Sequence, residues 1–375
     1  MLTPETSTSG SSTPVNRAVP LNHPVAVQFV TPIPSLDGMR ALAVIIVVLS
    51  HAGFGTFIPG GLGVTIFFFL SGYLITTLLS NEFAVKSTIE VRLFYTRRFL
   101  RLFPPLAISL TVAYCLVFVG LLGGGATLSG FLAQMFYFAN YYAIFFPVGM
   151  IPDGTGILWS LAVEEHFYIV FPLLVLPLFR TWKHSKVGFL LLVLCALELA
   201  WRIYLFFSPD FTALRIYYAS DTRFDSILFG AVLALVKNPS VAGRGERAMG
   251  RRHWAAFALG VVGLLASLGV RDPFFRETLR HTLQGISLMP IFYCVIRFHR
   301  SFGILNHPFA VQIGVLSYSI YLIHLVVIYA LQQNAPYAQS GILCFAIAMS
   351  VATLYAKAIE KYVDIPLRLV RSRFH

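Results

Sequence analysis

The sequence predicts an all-α, polytopic membrane protein with about ten transmembrane helices and both termini on the cytoplasmic side. Three observations predict it. The first is composition: the 375 residues are 57% hydrophobic and 12% charged, whereas soluble domains carry about 25% charged residues. So few charges cannot make a water-facing surface, which excludes an ordinary cytosolic enzyme. The second is the recurrence of ten apolar windows, at 36–52, 62–80, 103–122, 157–179, 187–207, 223–237, 254–270, 281–298, 309–332 and 340–360. All but the short 223–237 window approach or exceed the roughly 17–25 residues a spanning helix needs. The third is where the positive charge lies. Of 28 Lys and Arg, six (Arg202, Arg215, Arg223, Arg271, Arg276, Arg280) fall in segments that ten spans place outside, and the other 22 fall inside. That asymmetry is the positive-inside pattern of a multi-pass protein.

The net charge of +12 is therefore a topology signal, and no nucleic-acid partner is expected from it. Residues 1–34 are rich in Ser, Thr and Pro and contain no apolar core of a signal peptide, so they are expected to be a disordered cytoplasmic tail. The transmembrane domain is expected over 35–368, followed by a basic tail at 369–375 that leaves no room there for a soluble domain. The further apolar stretch 127–148 is not expected to span, because an eleventh span would place RTWKHSK and the run from Lys237 to Arg252 outside. An outward-side re-entrant or interfacial element is expected instead. Cys115, Cys195, Cys294 and Cys344 stand singly in apolar stretches and read as core residues, with no spacing that makes a metal site or disulfide framework.

Polar groups inside spans are expensive, so each is a functional candidate. In SLDGMRALAVIIVVLSH, Arg40 and His51 are eleven residues apart, which returns to nearly the same helix face about 16 Å further along. Asp37 lies three residues before Arg40 and can pair with it at the cytoplasmic end. Alternatively, Arg40 snorkels to headgroups and His51 caps the outer end. In WSLAVEEHFYIVFP, Glu164, Glu165 and His166 begin an incoming span at an outer depth comparable to His51. A carboxylate beside an imidazole fixes its tautomer and raises its basicity, as a general base towards a hydroxyl requires. Adjacent residues point about 100° apart, so one glutamate is expected to reach His51 and the other to form a structural ion pair. In SDTRFDSILFGAVLA, the carboxylates of Asp221 and Asp225 flank Arg223, an arrangement that suits either sugar hydroxyls or an internal salt-bridge network.

In FYTRRFLRLFPP, Arg97, Arg98 and Arg101 form a basic edge able to take nucleotide-type phosphates, although basic juxtamembrane runs also act as plain anchors. Tyr318, Tyr321 and His324 in LSYSIYLIH read as buried packing, and Ser71 and Gly72 as small residues for close helix contact.

With GGLGVTIFFFLSGYLI, these runs in this order resemble the acyltransferase 3 family of bacterial integral-membrane acyltransferases, which O-acylate surface and secreted carbohydrates and some small molecules. The resemblance covers Ser35 to Arg368 and departs from the family's usual pattern at His166, where Gln is common. It is to the stand-alone form, without the C-terminal extracytoplasmic hydrolase-like domain. It implies acyl-CoA, often acetyl-CoA, as a cytoplasmic donor substrate with no permanently bound cofactor, and a carbohydrate or related hydroxyl acceptor on the outer side. On that reading Arg40, Arg97, Arg98 and Arg101 bind acyl-CoA, His51 acts with Glu165 or Glu164, and Trp159, Asp221, Arg223 and Asp225 meet the acceptor in the bacterial inner membrane. The rival expectation is a transporter or flippase for a lipid-linked glycan, against which stand the missing repeat symmetry and paired broken helices.

Overall fold

The computed structural model describes residues 33–240, 248–335, 337 and 339–372. The expected tail therefore lies almost wholly outside the described residues, as do the last three residues of the basic C-terminus. What is described is helical, with a single isolated bridge, Gly124 to Pro152, outside the helices.

Each of the ten apolar windows holds a helix. They are α1 (Pro34–Leu49), α2 (Gly60–Lys86), α3 (Val91–Phe118), α6 (Trp159–Thr181), α7 (His184–Phe206), α9 (Phe224–Val236), α10 (Arg251–Gly269), α11 (Arg280–Arg297), α12 (Pro308–Asn334) and α13 (Gly341–Ile359). Eight helical segments among the described residues are long and apolar enough to cross a membrane by themselves. The remaining two windows hold α9 and α11. With 13 residues, α9 reaches about 20 Å, short of a hydrocarbon core of roughly 30 Å. It is instead encased in protein, with every residue from Asp225 to Leu235 buried.

Glycines set how closely the central helices approach. A Cβ on Gly72 would overlap the Ile227 carbonyl oxygen, and one on Gly230 the Phe69 carbonyl oxygen, so α2 and α9 touch backbone to backbone. The expected close-packing role of Gly72 is thus met. In the same way Gly38 of α1 lies against Leu305, and Gly314 of α12 against the Asp37 carbonyl. Helices α1, α2, α9 and α12 form the middle of the bundle, while α7, α10 and α13 bury only 17%, 11% and 28% of their apolar windows. Exposed Phe189, Leu197, Leu259, Val262 and Leu354 on those three make an outer apolar belt suited to lipid. Cys195, Cys294 and Cys344 are buried as expected, but Cys115 is exposed on α3, because apolar residues of a lipid-bathed helix also point outward.

The 127–148 stretch does not cross. It folds as two short helices, α4 (Leu128–Met135) and α5 (Ala139–Phe145), each about 10–12 Å long. Tyr137 takes a left-handed conformation between them (φ 61°), and Thr127 caps α4 through Gly130 N–H. The short helix α8 (Ala213–Tyr218) and a 3₁₀ turn at Ser220–Thr222 precede α9, and α14 (Ile365–Arg371) follows α13.

Candidate functional site

α1 ends in a π-helical turn, Ser50–Phe54, closed by Gly53 at φ 108°. Such turns shift side chains off the α-helical register and recur at functional sites. Here the turn carries His51 into the wall of a cavity of about 500 Å3, with Trp159, Tyr217, Tyr218, Tyr321 and Tyr329 as its aromatic lining. The volume lies in the range of small-ligand sites.

His51 Nδ1 lies 3.1 Å from His324 Nε2, and His324 Nδ1 lies 2.8 Å from the Tyr321 carbonyl oxygen. A carbonyl only accepts, so His324 Nδ1 carries the hydrogen. The other nitrogen of that fully buried, neutral ring is then an acceptor, and His51 Nδ1–H donates to it. The chain of bonds leaves the lone pair on His51 Nε2, the state a general base needs. Tyr321 is itself held, its hydroxyl bonded with Ser160 Oγ at 2.7 Å and donating to Ile157 O at 3.2 Å.

The pairing of His51 with a glutamate is not formed. Glu164 accepts from the Ser71 hydroxyl and from the Tyr168 hydroxyl at 3.0 Å. Arg98 lies over the Tyr168 ring at 4.6 Å and acts electrostatically on both Glu164 and Glu165. Depth is the reason: α6 starts at Trp159, level with the cavity, so Glu164 and Glu165 stand roughly 8 Å further along its axis, towards the arginines. Tyr137, from the turn between α4 and α5, reaches the same layer and interacts with Glu165 and Tyr318. Ser71 is thus a hydrogen-bond donor to Glu164 as well as a small packing residue. His166 faces another way, its Nδ1 2.7 Å from Ser220 Oγ and its ring against Phe138 and Tyr141.

Arg40 pairs with Asp37 at 2.7 Å, as its spacing predicts. Arg98, Arg40 and Arg371 lie within electrostatic reach of Arg101, so the basic edge is a cluster gathered from three parts of the chain. Arg97 stands apart, 3.7 Å from Glu82.

Asp221, Arg223 and Asp225 do not act as one group. The expectation assumed a continuous helix, whereas the 3₁₀ turn and a backbone break at Arg223 (φ −130°) send the three side chains to different neighbours. Asp221 accepts from Arg215 at 2.6 Å and from Trp201 at 2.8 Å. Burial alone would raise its carboxyl, but these two bonds outweigh burial and hold it below the usual carboxylate value. Asp225 is fully buried, bound by Arg202 at 2.6 Å and Thr282 at 2.9 Å. Arg223, also fully buried, is caged by the rings of Phe68, Trp159 and Tyr217 at 5.0–5.5 Å. Of the four residues expected to meet an acceptor, only Trp159 lines the His51 cavity.

His324 reads in the sequence as buried packing beside Tyr318 and Tyr321, and the structure adds its bond to His51. The available signal for a further role of His324 is an ionisable side chain inside an apolar window; nothing local marks Tyr217.

The fold is thus an apolar bundle of membrane-length helices with His51 in a cavity wall and a separate cluster of arginines. The chain matches the acyltransferase domain family over residues 33–359 and belongs to it, which makes it a multi-pass membrane acyltransferase. The peptidoglycan O-acetyltransferase OatA of Listeria monocytogenes is 28% identical over 355 residues, covering 90% of this chain and 56% of that protein. The O-acetyltransferase OatA of Staphylococcus aureus is 28% identical over 351 residues, 90% of this chain and 57% of that protein. The chain thus spans little more than half the length of these relatives. No solved structure matches it.

Proposed function

We propose that the protein is an inner-membrane O-acyltransferase that moves an acyl group, acetyl in the first instance, from cytoplasmic acyl-CoA to a hydroxyl of a carbohydrate or related acceptor. The observation that carries this reading is the His51–His324–Tyr321 carbonyl chain in the cavity wall, which supplies a neutral imidazole with a bare Nε2. The peptidoglycan substrate in the name of the Listeria relative supports a glycan acceptor.

The acceptor hydroxyl gives its proton to His51 Nε2 as its oxygen attacks the thioester carbonyl carbon. The tetrahedral adduct collapses with loss of CoA thiolate, which takes up the proton from His51, leaving ester and CoA–SH. His324 holds the His51 tautomer through both halves and shares the positive charge that develops. Arg98, Arg101 and Arg40 provide guanidinium groups for the CoA phosphates, while Arg97 is tied to Glu82 and contributes to the positive field. Glu164 and Glu165 shape the arginine layer rather than the base. The aromatic cavity wall offers flat faces and hydroxyls to a sugar.

Purified protein in detergent, where no second compartment exists, tests the class of activity. Release of CoA from acetyl-CoA that depends on an added sugar acceptor, with acetyl mass appearing on that acceptor, is the expected result. Absence of both, with intact folded protein, returns the chain to the transporter class.

A further inference from the structure

A second cavity of about 460 Å3 adjoins the one that holds His51. Gly61, Tyr217 and Tyr218 line both, so the two chambers share a wall. That wall is one side chain thick at Tyr217, whose hydroxyl would stand 2.6 Å from a Cβ on Gly61.

The two chambers differ in charge. Among the described residues, the His51 chamber has no arginine or lysine in its lining, whereas the second has Arg276 and Arg280 against a single carboxylate, Glu277. Glu277 acts electrostatically on both arginines but closes no ion pair within 4.0 Å with either among the described residues. Arg223, fully buried behind Tyr217, adds a third positive charge to the same wall and also acts on Glu277.

Donors without acceptors accumulate here. His281 lines the chamber at 2% exposure; its Nε2 faces Arg223 Nη1 at 3.5 Å, which leaves the hydrogen on Nδ1, and Nδ1 closes no hydrogen bond within 3.5 Å among the described residues. The neighbouring Gln284 oxygen accepts from the Thr65 hydroxyl and also acts on His281. Arg223 Nε and Nη2 are likewise buried and unpartnered. Unsatisfied buried donors beside excess positive charge are relieved by an oxyanion brought in from outside.

We propose that the second chamber is an anion subsite that holds a phosphate or carboxylate of the acceptor while the acceptor's hydroxyl lies at His51 in the adjoining chamber. The assignment to an acceptor rests on the acyltransferase reading; the anion site itself does not. The shared wall places the two ends of one molecule side by side, and the charge difference sets which end goes where.

The test is binding to the full chain in detergent by calorimetry, with inorganic pyrophosphate, glucuronic acid and neutral glucose as probes. At least one anion is expected to bind more tightly than glucose. Its affinity should fall at least tenfold in the Arg276→Gln/Arg280→Gln variant and rise several-fold in Glu277→Gln, which removes the competing carboxylate. A response confined to pyrophosphate assigns a phosphate, and one confined to glucuronic acid assigns a carboxylate. The Arg98 cluster also attracts pyrophosphate, so the opposite responses at 277 and at 276/280 locate the site. Anion affinities that do not exceed that of glucose, or that ignore both variants, overturn the proposal. Because no turnover is read, protein that binds the anion here yet never transfers an acyl group contradicts the acyltransferase reading alone.

Discussion

His51 Nδ1 donates across 3.1 Å to His324 Nε2, and His324 is in turn fixed by the Tyr321 carbonyl at 2.8 Å. The group that orients His51 is therefore a second imidazole with a peptide oxygen, not a carboxylate. A neutral relay suits a site whose first member sits beside membrane-buried helices, since it places no formal charge there before the reaction begins.

Removing the relay should act on turnover. His324→Ala is expected to lower kcat at least tenfold with little change in KM for acyl-CoA, because a free His51 ring samples the wrong tautomer and orientation. The double variant His51→Ala/His324→Ala should be no slower than His51→Ala alone, the non-additivity of residues that act as one unit. Steady-state rates on purified variants check it; additive losses would make His324 a packing residue.

Arg98→Ala and Arg101→Ala should weaken binding of CoA without altering the order of acceptor preference. Titration of labelled CoA into purified protein reads the first effect and acceptor competition the second. Weakening should shrink at high salt, as expected for partly exposed phosphate contacts.

The Arg202–Asp225 pair, at 2.6 Å with both side chains fully buried, is structural. Arg202→Met or Asp225→Asn leaves a buried partner uncompensated and should cost about 3–5 kcal/mol, seen as a lowered Tm in detergent. Acceptor KM of the surviving folded protein should stay near that of the parent.

Asp221 lies outside the spans and is held ionised by Arg215 and Trp201 against its burial. Its native value is depressed, so its stabilising contribution is full above the ordinary carboxylate value of about 3.9 and is lost as pH falls through the lower native value. Asp221→Asn should therefore lower Tm at neutral pH and flatten its decline at acid pH. The carboxylate is partly exposed, so the effect should be small. Thermal unfolding across pH reads it.

The helix positions were legible in the sequence because apolar length is a one-dimensional signal, and so was the Arg40–Asp37 pair, which is local. α9 was harder, since burial in protein releases a helix from the length that lipid demands. His51 stands out in the sequence by its spacing to Arg40, but its hydrogen-bond partner does not: His324 is 273 residues away. The glutamates were placed too shallow because the start of α6 fixes the depth of Glu164, and no local pattern shows where that start sits relative to His51. The acidic pair around Arg223 failed for a different reason, a 3₁₀ turn where helix periodicity was assumed.

In the proposed reaction His51 takes the proton of the acceptor hydroxyl. Single-turnover transfer of labelled acetyl from acetyl-CoA to a sugar acceptor, comparing the parent with His51→Ala in the same membranes, tests it most directly. The expected rate is lower by about 10²–10⁴-fold, with CoA affinity retained. Transfer at the parental rate by folded His51→Ala protein would contradict it.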